Sequence, residues 1–208
     1  MRGDDTNVGL WKNTARERDQ SLVDSRVLER NFSLWGREEF FLNSQWKLML
    51  GLRADYFTFQ VDDRLVGFSA HLPHASGYAH DRILSPKAAL VYSPGRSIDF
   101  FFNAGKGFHS NDARNAVIDQ RVDELQRSFT AQGRGPDELL VALDERNFDS
   151  GHIGTGTLPS ALGAEFGLRL RSSSKLNFGA AAWWLDLDSE YVYIGDEGTT
   201  EEIGRSRR

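Results

Sequence analysis

Residues 82–114, RILSPKAALVYSPGRSIDFFFNAGKGFHSNDAR, decide the fold. Apolar and polar side chains alternate on both sides of a short turn, with the period of two that marks a strand with two unlike faces. The turn is Ser93-Pro94-Gly95-Arg96, where Pro presets φ and Gly accepts a positive φ without steric cost. In the return strand only Phe101 breaks the alternation. This stretch predicts one antiparallel hairpin.

The same alternation recurs at residues 28–41, 164–170 and 176–184, and it is cleanest from Trp46 to Tyr56. That strand has one apolar face with an aromatic ring at each end. The ten steps between its residues, at roughly 3.4 Å each and tilted by about 45°, rise about 24 Å, close to the apolar band of about 25 Å in an outer-membrane barrel. We expect the apolar faces to look outward to lipid and the charged faces inward.

Composition excludes several classes of protein. The 208 residues suffice for one domain, and the mean hydropathy of -0.48 comes without any apolar run long enough for a membrane helix. The chain contains no Cys, so disulfides and thiolate metal sites are excluded. A net charge of -5 argues against a nucleic-acid partner. No Gly-rich phosphate loop or nucleophile elbow is present, so we predict no cofactor and no catalytic residue.

Two parts of the hairpin resemble a known family. Ser85-Pro86-Lys87 before the turn and NAGKGFHSNDAR at residues 103–114 are similar to strands of TonB-dependent outer-membrane receptors. The likeness continues at residues 51–57, 165–169 and 181–198. It implies an all-β fold over residues 1–208, namely about six to seven strands of an antiparallel up-and-down transmembrane β-barrel. The alternative from pattern alone is a soluble antiparallel sheet with one wet face.

The resemblance also implies a function and partners. It implies energy-coupled import of a scarce nutrient, by default a ferric siderophore, across the outer membrane of a Gram-negative bacterium. The partners would be the TonB energy-transducing complex, reached through a plug domain, together with outer-membrane lipid and a small-molecule metal chelate. The receptor would act as a monomer and not as an enzyme. An outer-membrane barrel that anchors an enzyme or adhesin, and a passive porin, remain alternatives.

Connection lengths predict an orientation. Short turns at residues 43–45, 93–96 and 172–174 alternate with long connections at 62–81 and 108–157, as periplasmic turns alternate with extracellular loops. The charged residues 12–25 are predicted to form a loop. No export signal, plug or aromatic terminal strand is recognised, so we expect a piece of barrel that forms a curved, open sheet with two unpaired edges.

The connection at 108–157 shows a helical pattern. Apolar residues recur at i, i+4, i+7 and i+11 from Ile118 to Phe129, and Pro136 begins a second apolar pattern that contains Leu139, Leu140 and Leu143. One interpretation is a helical hairpin that covers bound ligand at the extracellular mouth. The other is an insertion that packs on the rim or is disordered.

Eight residues are predicted to contact substrate or plug. Four lie in the motif at the end of the hairpin: His109, Asn111, Asp112 and Arg114. Four lie on inward strand faces: Arg53, Asp55, Glu165 and Arg169. For the motif we favour a structural role, since Ser, Asn and Asp end strands and cap helices.

Metal ligation is weakly indicated. The imidazoles of His71, His74 and His80 fall in one predicted loop, but their spacing fits no strict zinc pattern, so we predict no metal site. The carboxylates of Asp186, Asp188 and Glu190 share a strand face beyond Trp184, and we expect a solvated rim there in preference to a Ca²⁺ site.

Overall fold

The computed structural model describes residues 2–65, 76–109, 112–145, 157–171, 176–194, 199–202 and 204–208. Its main body is one antiparallel sheet in which the first seven strands pair with their sequence neighbours. These strands are β1 Arg2–Thr14, β2 Glu17–Phe41, β3 Trp46–Asp63, β4 Gly77–Tyr92, β5 Ile98–Phe108, β6 Ser160–Arg171 and β7 Asn177–Leu187. The strand order is linear and the sheet is not closed, as predicted for a barrel segment.

The remaining elements are short. Two helices, α1 Ala113–Ala131 and α2 Pro136–Asp144, connect β5 to β6. After β7 come a separate two-stranded ladder, β8 Tyr191–Ile194 with β9 Thr199–Glu202, and then β10 Ser206–Arg207, which pairs with the end of β7. Neither described helix is long and apolar enough to cross a membrane.

The pairing register separates two faces by residue parity. From β2 to β7 even-numbered residues lie opposite even-numbered ones, for example Phe32 opposite Tyr56 and Phe102 opposite Phe166, and no pair of these strands shows a register shift. Cross-strand partners point to the same side of a sheet. The even-numbered side chains therefore form one continuous surface and the odd-numbered ones the other.

The even face is apolar and exposed. Leu34 is 70% exposed, Leu52 is 52% exposed and Phe166 is 57% exposed, and no layer of the described chain covers them. Exposed apolar surface costs roughly 25 cal/mol per Å² in water, so a face of this extent needs an apolar surrounding. The prediction that these side chains are not sealed inside a globule is confirmed, and their contact with lipid stays a prediction.

Aromatic side chains border the apolar face. At the turn end, the ring centroids of Trp46 and Tyr92 are 4.4 Å apart and those of Tyr92 and Phe100 are 6.3 Å apart. At the other end lie Tyr56 and Trp184. Amphipathic rings favour the two membrane interfaces, so the two rows mark where the sheet leaves the hydrocarbon.

The first hairpin corrects the predicted loop at residues 12–25. These residues belong to β1 and β2, joined by a two-residue turn in which Ala15 and Arg16 have φ of 53° and 70°. Two positive φ values match the turn whose twist suits a hairpin. The 25 residues of β2 span roughly 85 Å at about 3.4 Å each, far more than the apolar band. The polar part of the β1–β2 pair therefore extends into water, where neither face of the sheet has to be apolar.

The connection predicted at 62–81 is also shorter than expected. β3 continues to Asp63 and β4 begins at Gly77. Residues 62–63 and 77–81, at the two ends of the predicted connection, are therefore strand. Residues 66–75 lie outside the described part of the chain.

Phe101, which broke the predicted alternation, lies on the odd face opposite Gly167. A Cβ added to Gly167 would be 2.4 Å from Cζ of Phe101 and 2.6 Å from the carbonyl oxygen of Ala180. The Arg169 guanidinium lies 5.1 Å from the centre of the same ring. The ring thus covers the backbone of a glycine, and Arg169 covers the ring.

We predict that Gly167→Ala destabilises the folded barrel by about 1–3 kcal/mol, because the methyl group has no room without moving Phe101 or backbone. Gly163→Ala is the matched control, since a Cβ there meets Leu185 at an ordinary 3.6 Å. Guanidinium unfolding of the receptor in lipid vesicles measures the difference. Equal unfolding midpoints for the two variants would contradict this packing.

The end of the chain packs against β7 through Asp186. This carboxylate is 6% exposed and accepts hydrogen bonds from Arg205 at 2.8 and 2.9 Å and from Arg207 at 3.0 Å. These arginines hold the pKa of Asp186 at about 2, well below its usual value. The prediction of a solvated carboxylate rim is wrong for Asp186, whereas Asp188 is exposed where it accepts a hydrogen bond from Ser160, and Glu190 is partly exposed beside Arg208.

We predict that attachment of residues 204–208 weakens as the pH falls from about 4 to about 2. A carboxyl whose pKa is lowered in the folded state stabilises it above the unfolded pKa of about 3.9 and loses that contribution on protonation. The amides of Leu185 and Arg208 bond to each other's carbonyl oxygens. Their hydrogen exchange, corrected for the pH dependence of the intrinsic exchange rates, measures how firmly residues 204–208 are attached.

Asp186→Asn should abolish this pH dependence and leave both amides poorly protected at about pH 5. Asp137→Asn on the exposed surface of α2 is the control and should exchange like the unsubstituted protein. Protection that is equal at about pH 5 and about pH 2 in the unsubstituted protein would refute the role of Asp186.

Candidate functional site

The odd face is concave and carries charged and amide side chains among apolar ones. A cavity of about 1080 Å³ runs along it from β2 to β7. Its lining includes charged and amide side chains, namely Arg53, Lys87, Asn103 and Glu165, and the three indoles of Trp35, Trp183 and Trp184. A surface that is charged on one side and apolar on the other is suited to separate an aqueous lumen from lipid.

Arg53 and Asp55 form an ion pair on this wall that is joined by two short hydrogen bonds. Arg53 donates from Nε and Nη2 to the two carboxylate oxygens at 2.7 Å each, and Asn31 donates to Asp55 at 3.3 Å. The Asp55 side chain is 0% exposed, whereas that of Arg53 is 49% exposed. Asp55 therefore holds the guanidinium in place. Of these two side chains, only that of Arg53 presents a charge to the cavity.

The other two predicted wall residues lie on β6. Glu165 accepts a hydrogen bond from Asn103 at 3.0 Å across the β5–β6 pair. Arg169 is exposed and lies over Phe101, nearer to the turn end of the strand. The structure therefore places Arg53, Asp55, Glu165 and Arg169 on one face, as the alternation predicted.

Sequence reasoning missed the two indoles of this face. Trp35 lies opposite Arg53, and Trp183 lies opposite Glu165. Both are exposed to the cavity. Because both residue numbers are odd, the register places both indoles on this face. Without the register, an aromatic side chain on a strand resembles one that faces lipid.

The motif at the end of β5 is mainly structural. Asp112 is the N-cap of α1, and its side chain accepts a hydrogen bond of 2.7 Å from the amide of Arg114. His109 donates from Nε2 to the carbonyl oxygen of Ser189 at 3.2 Å, which ties β5 to the segment after β7. The capping prediction is confirmed for Asp112, and Asn111 lies outside the described residues.

Both helices predicted in the long connection are present, and they share a core with the sheet. Phe57, Phe59 and Val61 of β3 lie beneath Val117 and Val122 of α1. Further buried members of this core come from β4, the two helices and the segment before β6, namely Ala79, Ala113, Ala116, Ile118, Phe129, Leu139, Ala142, Leu143 and Leu158. Leu140 is 46% exposed, so its predicted place on the buried side of α2 is wrong.

Parity shows which side of the sheet the helices cover. Phe57, Phe59 and Val61 are odd-numbered residues of β3, on the same face as Arg53 and Asp55. The helices therefore lie over the inward face, above the membrane-spanning part of the strands. They cover the part of this face where β3 continues beyond Tyr56.

Polar contacts fix α1 to β4 as well. Gln120 accepts a hydrogen bond of 2.9 Å from the amide of His80, and Arg121 donates to the carbonyl oxygen of Ser76. Burial raises the pKa of Asp123 on the same helix, although nearby Arg127 opposes the shift. A Cβ on Gly77 would lie 3.0 Å from Cγ1 of Val117, so glycine permits this close approach.

The histidine pattern does not form one loop. His80 belongs to β4, where its ring lies between those of Tyr56 and Tyr78 at 6.2 and 5.9 Å. His71 and His74 lie outside the described residues. Within the described ranges no group of three His, Cys, Asp or Glu side chains could hold a metal ion.

A sheet with one exposed apolar face, one concave face that carries charges and an aromatic row at each end is typical of the wall of a transmembrane β-barrel. The family model for the β-barrel of TonB dependent receptor-like proteins matches residues 3–207. The chain belongs to this family. No curated protein sequence matches it.

Solved structures share the fold at low sequence identity. The ferric-catecholate import receptor Fiu of E. coli K12 in its closed form has a TM-score of 0.52 at 14% identity, over 89% of this chain and 25% of that one. The siderophore receptor PiuA from Acinetobacter baumannii has a TM-score of 0.55 at 15% identity, over 90% of this chain and 23% of that one. The copper transporter OprC has a TM-score of 0.55 at 17% identity, over 88% of this chain and 26% of that one. The chain thus spans about a quarter of the length of these proteins.

We predict that α1 stays on β4 and does not swing away from it. In the double variant Gly77→Cys/Val117→Cys the two side chains are within disulfide reach, and the chain has no other cysteine. The disulfide should form in nearly every molecule under oxidising conditions.

Non-reducing gel electrophoresis after proteolysis between the two positions measures the yield. A pair at Gly133→Cys and Gly95→Cys, two exposed turns in separate parts of the chain, is the control and should remain reduced. Slow or partial cross-linking at 77 and 117 would show that the helix leaves the sheet, as a hinged lid requires.

Proposed function

We propose that this chain is part of the wall of a receptor that imports a metal chelate, most directly a ferric siderophore, across the outer membrane in a TonB-dependent manner. The observation that supports it best is the division of one sheet into an exposed apolar face and a charged concave face. Membership of the receptor family supports the same function.

The charged face supports an interior that is wet or filled by another polar domain. A buried guanidinium or carboxylate without partners is costly, whereas Arg53 and Arg169 keep exposed surface toward the cavity. We propose that Arg53, Glu165 and Arg169 contact a plug domain or line the path beside it. Asp55 acts indirectly, by holding Arg53.

The mouth residues act at the entrance. His109, Asp112 and Arg114 connect the end of β5 to the start of α1, and α1 with α2 narrows the opening. We propose that Asn111, His109 and Arg114 meet the incoming ligand there, while Asp112 maintains the helix. The packing of the helices on the sheet favours a permanent restriction of ligand size over a moving cover.

The substrate proposal follows from what the related structures share. Their descriptions name ferric-catecholate import, a siderophore receptor and copper transport, and these have a metal-carrying cargo in common. A small metal chelate is therefore the substrate class we propose, with copper as the second candidate. Import would need the TonB energy-transducing complex, acting on a plug in a monomeric receptor.

We predict that deletion of the protein reduces uptake of radiolabelled iron from at least one ferric siderophore to the background of unenergised cells. Complementation should restore uptake, and a protonophore or loss of TonB should abolish it again. Copper uptake is measured in parallel. Uptake that persists without TonB or proton-motive force would support a passive porin, and uptake unchanged by deletion across the whole panel would refute import.

A further inference from the structure

The cavity on the inward face has a floor of bare backbone. One row of the ladder runs from β2 to β6 through Arg37, Gly51, Lys87, Gly105 and Gly163, and all five residues line the cavity. Three of the five have no side chain. We call the resulting hollow at Gly51, Gly105 and Gly163 the glycine trough. A glycine inside a strand permits a rigid ligand to approach the backbone closely.

Two cations flank the first glycine of the trough. Cγ of Arg37 and Cβ of Lys87 each lie 4.0 Å from the position that a Cβ on Gly51 would take. Both side chains are exposed, and neither forms an ion pair within the described part of the chain. Their backbones are two strand spacings apart, roughly 10 Å. Side chains of this length can therefore contact the same ligand.

The carboxylates around the trough are paired or distant. Asp55 is bonded to Arg53 and its side chain is 0% exposed, and Glu39 lies 2.8 Å from Lys47. Glu165 is on β6, two strands beyond β4. Positive charge therefore predominates on the β2–β4 side of the trough. A cleft of one sign concentrates ligands of the opposite sign.

Indole rings stand on both sides of the trough. Trp35 on β2 is 69% exposed, Trp183 on β7 is 62% exposed, and both line the cavity. Aromatic faces stack on flat groups, and cationic side chains donate to anionic oxygens. The volume of about 1080 Å³ is near the upper end of the roughly 300–1,000 Å³ that small-molecule sites have. Together these features fit a chelate whose flat arms carry negative charge.

We propose that Arg37 and Lys87, with the glycine trough and the indoles of Trp35 and Trp183, form a transit site for a negatively charged metal chelate on the barrel wall. The site lies on the membrane-spanning part of the strands, below the helices at the mouth. It makes passage of an anionic chelate faster than passage of a neutral one. This inference rests on the proposed function and deepens it by specifying the charge of the substrate.

The test measures uptake of radiolabelled iron by energised cells that carry the full receptor or Arg37→Gln/Lys87→Gln. The probes are an anionic ferric tris-catecholate and a neutral ferric trihydroxamate. We expect the maximal rate for the tris-catecholate to fall about 10-fold in the double variant, the lower end of what a cleft of one charge contributes. Its half-saturating concentration, which reports binding at the mouth, should not change. Uptake of the trihydroxamate should keep its rate.

Two further variants separate charge from folding. Arg37→Lys/Lys87→Arg keeps both charges and should transport the tris-catecholate like the unsubstituted receptor. Arg96→Gln/Arg127→Gln removes the same charge from a turn and from an exposed helix position, and it should also have no effect. An unchanged rate in Arg37→Gln/Lys87→Gln, or an equal loss for both chelates, would overturn the proposal.

Entry of vancomycin, which an intact outer membrane excludes, distinguishes a transit site from a contact that holds the plug. We expect Arg37→Gln/Lys87→Gln to exclude it as well as the unsubstituted receptor does, and increased entry would assign the two cations to plug retention instead. The unsubstituted receptor distinguishes this failure from failure of the proposed function. If it imports neither chelate, the proposed function is refuted together with this site. If it imports only the neutral chelate, import stands and the transit site is refuted.

Discussion

The structure depends on one uninterrupted backbone ladder from β2 to β7. Every strand in this range meets its neighbour without a register shift, so side-chain parity is preserved across the whole sheet. A slip of one residue would exchange the two faces of a strand and place Arg53 or Glu165 in hydrocarbon. The same ladder satisfies the backbone groups, which lipid cannot do.

The inward charges are held by short-range partners across or along the strands. Asp55 holds Arg53, Asn103 holds Glu165, and Phe101 lies between Gly167 and Arg169. A wall built in this way keeps its charged groups at fixed positions while water or another domain occupies the cavity. The wall thus provides a rigid polar surface, and the helices above it restrict access.

Sequence patterns predicted the elements whose signal is local. Alternation located β3 to β7, the Ser93–Arg96 turn was recognised from its residue types, and the apolar spacing from Ile118 to Phe129 located α1. Patterns failed where both strand faces are polar. Residues 12–25 looked like a loop, because a ladder that extends into water requires no alternation. The ion pairs of Asp186 were missed, since Arg205 and Arg207 are distant in sequence.

The sequence by itself determined β3 to β7, their two unlike faces and the helical insertion, because each follows from residues close together in the chain. Only the tertiary structure decided that the insertion covers the inward face and that Trp35 and Trp183 join the charged cavity. Those features arise from pairing between distant strands. Pairing register sets which side chains meet, and no single segment contains that information.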